Sequence, residues 1–88
     1  MDLSALPGGD LVAEGLTDLQ EGRRTIASCL VSIGAPRLRD LGIALPRTEA
    51  EPERGLYELL AQTEPDSAHS RYNALVRRLV SFERACAI

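Results

Sequence analysis

One histidine and two polar neighbours are the residues best suited to chemistry. His69 is the single histidine of the chain, and Asn73 and Arg77 follow it at intervals of four residues. On an α-helix this spacing places all three side chains on one side. An imidazole, an amide and a guanidinium could serve a small hydrolase as general base, orienting group and anion-binding group. Such a row is more often a solvated polar helix face, and we therefore assign no catalytic residue.

The basic residues near this histidine suggest a second kind of binding. All ten basic residues are arginines, a bias typical of a GC-rich bacterial genome. Four of them have no acidic residue three or four positions away in the last predicted helix, where an in-helix ion pair would need one: Arg71, Arg77, Arg78 and Arg84. We expect salt bridges to other elements, including the acidic segment 49–64. Phosphate binding by an antitoxin-like nucleic-acid regulator is the alternative, and the net charge of −3 makes nucleic acid an unlikely partner.

The cysteines and acidic residues form no recognisable metal site. Cys29 and Cys86 lie 57 positions apart on apolar faces of predicted helices, where a free thiol behaves as a small hydrophobic residue. Asp66 and His69 are better explained as a helix cap and a first-turn residue than as two metal ligands. We expect reduced cysteines, no metal and no cofactor.

The composition is that of one globular domain. The chain has 88 residues, of which 44% are hydrophobic and 26% charged, too few for two separate cores. No apolar run approaches the roughly 18–20 residues that a membrane span requires, and the first residues do not resemble a signal peptide. We expect a cytoplasmic protein that does not bind membranes.

Apolar periodicity predicts an all-α fold, a small helical bundle with two long helices and two short ones. After a flexible arm over residues 1–9, apolar residues recur at intervals of three and four and predict the first long helix, over about residues 10–33. Asp10 is expected to cap its start, and Gly34 to end it in a left-handed conformation. Residues 10–88 form the single domain.

Proline and glycine mark the later elements. Pro36 begins a short helix over 36–41 that Gly42 ends, and a loop follows. The second short helix is predicted over 52–63, after Pro52. The second long helix covers 67–86, and a shared apolar seam predicts which of its residues face the core: Ala68, Tyr72, Leu75, Leu79, Phe82 and Cys86.

The first predicted helix suggests self-association. A helix of 24 residues is about 36 Å long, whereas a domain of this size is only roughly 30 Å across. Part of its apolar stripe should therefore protrude and require a partner. We predict a homodimer, acting as a protein-interaction or regulatory module without evident catalysis, with another protein as a further possible partner.

Small residues spaced by seven indicate where a neighbouring backbone approaches that stripe. Gly15, Gly22 and Cys29 share one line along the predicted helix, and glycine inside a helix costs about 1 kcal/mol relative to alanine. The neighbour could be a helix of the same chain or a second copy. For the second case, the residues proposed to lie at the oligomer interface are Gly15, Leu19, Gly22, Ile26 and Cys29.

Overall fold

The computed structural model describes residues 3–87, and within that range it consists of helices and loops without a β-strand. The predicted all-α class is thereby confirmed. A short 3-10 helix at Leu3–Ala5 precedes five α-helices: α1 (Gly9–Gln20), α2 (Ile26–Ile33), α3 (Ala35–Asp40), α4 (Pro52–Thr63) and α5 (Ala68–Cys86).

The continuous helix predicted over 10–33 is wrong, because the chain reverses direction between α1 and α2. Gly22 adopts a left-handed conformation with φ of 73°, which glycine enters without steric cost. Thr25 is extended and begins α2 through a capping box with Ser28. The 12 residues of α1 span about 18 Å, and α2 packs back against α1. The long protruding rod is therefore absent from the fold.

The second helix lies at the centre of the bundle. Six consecutive residues, 27–32, are buried, and α2 packs against all four other α-helices. A helix buried on every side is expected to be apolar all round, yet this one contains two serines. Ser28 exchanges hydrogen bonds with Thr25, and the Ser32 hydroxyl donates to the Ser28 carbonyl at 2.8 Å while accepting from the Glu49 amide at 2.9 Å. Their burial is therefore compensated.

A glycine lets α1 and α2 approach closely. Gly15 is buried, and a Cβ atom there would overlap the carbonyl oxygen of Ala27 and a methyl group of Val31. The close backbone approach anticipated at Gly15 is thus made within one chain. Gly22 belongs to the exposed reversal instead, and a Cβ atom there would meet nothing within 4 Å.

The start of the chain also differs from the expectation. The flexible arm predicted over 1–9 is, from residue 3 onward, a 3-10 helix and turn whose Leu3 and Leu6 pack against the core; Met1 and Asp2 lie outside the described residues. Gly8, with φ of 72°, precedes α1 in the cap position, and Asp10 makes no cap hydrogen bond. The first turn is set by this left-handed glycine rather than by a capping carboxylate.

The later elements agree closely with the sequence pattern. α3 and α4 begin at or beside a proline, Gly42 ends α3 with φ of 89°, and residues 43–51 form a loop. The apolar seam of α5 faces the core, with Tyr72 and Cys86 only half-buried. Gly34 is the exception: its φ of −85° is not left-handed, because it joins α2 directly to α3.

Gly15→Ala should lower the free energy of unfolding by about 1–2 kcal/mol, because overpacking against the α2 backbone outweighs the better helix propensity of alanine. Chemical denaturation measures this, with Glu14→Ala, an exposed neighbour on α1, as the matched control. A variant more stable than the wild type would contradict the close contact.

Gly22→Ala and Gly22→Leu should each lower the free energy of unfolding by about 1–2 kcal/mol. The two losses should be similar, because the penalty comes from the left-handed backbone and the space around the residue is open. Thermal and urea unfolding of the two variants side by side test this. A much larger loss for leucine would mean that Gly22 is packed against a neighbour.

Candidate functional site

The polar row proposed on the last helix lies at the surface of α5. His69, Asn73 and Arg77 are all exposed. Asn73 Nδ2 lies 3.3 Å from His69 Nε2, and Arg77 Nε donates to the backbone carbonyl of Asn73 at 3.3 Å. The predicted spacing therefore brings these side chains together. They form a solvated row, since the part of the chain that the structure describes contains no pocket beside them.

Two of the four arginines on α5 are held by carboxylates of other elements. Arg71 Nε lies 3.2 Å from Glu64, within the acidic segment predicted to pair with it. Arg78 Nη2 donates to Asp10 Oδ1 at 2.9 Å, across to the first turn of α1. Each exposed pair contributes about 0–1 kcal/mol. These two guanidiniums are therefore engaged within the fold.

The other two arginines of α5 have no carboxylate partner among residues 3–87. Arg77 bonds only to its own helix backbone, and no ion pair includes Arg84 there. The neighbouring Glu83 is half-buried near Gly34, and burial raises its pKa while Arg37 opposes the shift. The exposed side of α5 consequently carries positive charge that the fold does not neutralise.

Most of the residues proposed for an oligomer interface are buried within the single chain. Gly15, Leu19 and Cys29 are buried, Ile26 is half-buried, and Gly22 is exposed in the reversal. Burial raises the pKa of the Cys29 thiol, and the nearby Arg24 only partly opposes that shift. A protonated, buried thiol is unreactive.

A buried carboxylate that sequence reasoning did not single out organises the reversal between α1 and α2. Asp18 is 5% exposed. Its Oδ1 accepts hydrogen bonds from Arg23 Nε and Nη2 at 3.1 and 2.9 Å, and its Oδ2 accepts from Thr25 Oγ1 at 2.6 Å. The hydrogen bond from Thr25, followed by those from Arg23, holds the pKa of Asp18 below its usual value. The Thr25-x-x-Ser28 capping pattern, three residues after Gly22, was the local signal that could have revealed this turn.

A pair of tyrosines was also missed as a candidate site. Tyr57 on α4 is 45% exposed and is the exposed large hydrophobic residue of the described chain. Its ring centroid lies 6.4 Å from that of the half-buried Tyr72 on α5, with the rings tilted by 55°. This geometry is within the range of favourable aromatic pairs. The contact between the two rings depends on how α4 and α5 pack together, so the sequence pattern of either helix alone does not predict it.

Residues 3–87 contain neither a cluster of metal-ligating side chains nor a helix that could span a membrane. No group of three or more His, Cys, Asp or Glu side chains there could hold a metal ion. No helix in that range combines the length and apolar character needed to cross a bilayer. Comparison with protein-family models, curated proteins and solved structures found no match for the chain.

Asp18→Asn should destabilise the fold by about 1–3 kcal/mol at neutral pH, since charged hydrogen bonds to a buried group are lost. Because folding lowers the pKa of Asp18, its stabilising contribution is complete above the unfolded-state pKa and is lost as the pH falls through the folded-state value.

Urea unfolding measured from neutral pH down through about pH 4 and below tests this linkage. The wild type should lose stability over that interval, and Asp18→Asn should lose less. Asp40→Asn, at an exposed residue without an ion pair in the described chain, is the control. Equal pH dependence in wild type and Asp18→Asn would exclude the proposed role of this carboxylate.

Proposed function

We propose that the chain is a small helical protein-interaction module that associates with a second copy of itself through the outer face of α4 and α5, and that it is not an enzyme. The observation that carries this proposal is the exposed Tyr57, paired with Tyr72 across the two helices. A tyrosine left 45% exposed beside another aromatic ring is a ready contact for a partner.

The surface around the tyrosines has the composition of a protein interface. Tyr72, Val76 and Val80 follow one another at intervals of four along α5 and are half-buried, so they form an apolar strip on one side of the helix. Tyrosine and arginine are enriched at the centres of protein interfaces, and exposed Arg77 borders this strip. The patch is small, and we expect weak association.

The homodimer interface that we propose therefore lies on α4 and α5, and no longer on the helix predicted over 10–33. The length argument does not apply to the folded chain, because α1 and α2 cover each other's apolar residues. The α4–α5 face carries apolar area that remains accessible. A cytoplasmic location, which the sequence favours, is part of the same proposal.

The two alternative functions receive less support from the geometry. Of the four arginines on α5 that could bind phosphate, only Arg77 and Arg84 remain available. Arg71 and Arg78 are paired with carboxylates. A hydrolase centred on His69 would have to act from an exposed row with no adjoining pocket in the described chain. No specific contact favours either function over association.

Tyr57→Ala should weaken self-association at least about tenfold, because aromatic anchors carry a large share of interface energy. Light scattering across micromolar to millimolar concentrations should show wild-type mass rising above the 9.5 kDa of one chain, with the variant remaining closer to it. Gln62→Ala, exposed on another side of α4, should behave as wild type. A wild-type chain that stays at 9.5 kDa throughout would refute the proposal.

A further inference from the structure

Charges of opposite sign lie on the two helices that carry the tyrosine pair. Glu53 is exposed on α4, one turn before Tyr57 on the same side of that helix. On α5, exposed Arg77 and Arg84 lie three residues before and four residues after half-buried Val80. The apolar strip is therefore bordered by a carboxylate on one helix and by guanidiniums on the other.

These three charges differ from their neighbours in having no ion-pair partner within residues 3–87. On the same two helices, Arg54 pairs with Glu58 at 3.0 Å and Arg71 pairs with Glu64 at 3.2 Å. No such pair includes Glu53, Arg77 or Arg84 in that part of the chain. The fold leaves one acidic and two basic groups available around a single apolar patch.

A patch of this composition is complementary to itself. In a two-fold symmetric dimer the same surface meets its own copy, so each contact between two different positions occurs twice. A purely basic face would repel its copy, whereas a face with both signs can place each charge opposite its counterion.

We propose that a second copy of the chain docks on this face with its Glu53 beside Arg77 and Arg84 of the first copy, and reciprocally. This arrangement rests on the proposed self-association and specifies its geometry. The exposed ion pairs are individually weak, so they select the orientation and the partner. Most of the affinity comes from the tyrosines and valines between them.

Two charge-reversal variants test the arrangement when they are measured separately and then mixed. One variant is Glu53→Arg, and the other combines Arg77→Glu with Arg84→Glu, since Glu53 faces both arginines. Each variant places like charges opposite one another at both symmetric contacts and should weaken self-association about tenfold. In an equimolar mixture every proposed contact again joins opposite charges. The mixed dimer should therefore form with nearly wild-type affinity, measured by sedimentation with one variant carrying a fluorescent label.

Salt and two matched controls extend the test. Raising the ionic strength from about 0.05 to 0.5 M should weaken the wild-type dimer, because exposed charges become screened. Glu14→Arg on α1 and Arg39→Glu on α3 reverse exposed charges elsewhere and should leave association unchanged. Circular dichroism verifies folding. If the double arginine variant is unfolded, Arg77→Glu alone replaces it and should give a smaller loss and a partial recovery in the mixture, because Arg84 is unchanged.

The outcomes separate this inference from the proposed function. If the wild type associates but the mixed variants associate no better than either variant alone, the Glu53–arginine arrangement is overturned and self-association stands. If the wild type remains monomeric at millimolar concentration, the proposed function fails as well. Recovery of association only in the mixture supports both.

Discussion

The buried carboxylate of Asp18 is the interaction on which the rest of this fold depends. It binds Arg23 and Thr25 together, and Thr25 in turn begins α2 through its capping box. The carboxylate therefore joins the end of α1, the left-handed turn at Gly22 and the start of α2. An unpaired charge at this depth would be strongly unfavourable, so the two donors and the reversal that supplies them are needed together.

This reversal decides where the protein can meet a partner. By folding back on α1, the second helix enters the centre of the bundle and covers the apolar residues that a continuous rod would have exposed. Gly15 permits the close approach of α1 to α2, and α4 and α5 complete the cover. The exposed large hydrophobic residue of the described chain, Tyr57, lies on the outer face of α4 and α5 beside Tyr72. The proposed self-association therefore depends on this face.

The candidate site could be predicted from sequence only where its residues are neighbours on one helix. The spacing of His69, Asn73 and Arg77 predicted a shared side, which the structure confirms. The acidic segment before α5 was a reasonable partner for Arg71, because a short turn brings it back along the helix. The pairing of Arg78 with Asp10 and the contact between Tyr57 and Tyr72 join different helices. Both depend on packing that local patterns do not describe.

The sequence by itself determined the helical class and, to within one residue, the bounds of α3, α4 and α5, because prolines, glycines and apolar spacing act over a few residues. Only the tertiary structure decided that residues 10–33 form two helices. Leu19 and Ile26 are seven positions apart, an interval that two turns of one helix would also produce. The apolar period therefore resumes in phase after the reversal, interrupted only where Arg23 stands at an apolar position. Gly22 and the capping pattern of Thr25 and Ser28 were local signs of a break. The reversal itself depends on the burial of Asp18 against Arg23 and Thr25, a contact that periodicity does not record.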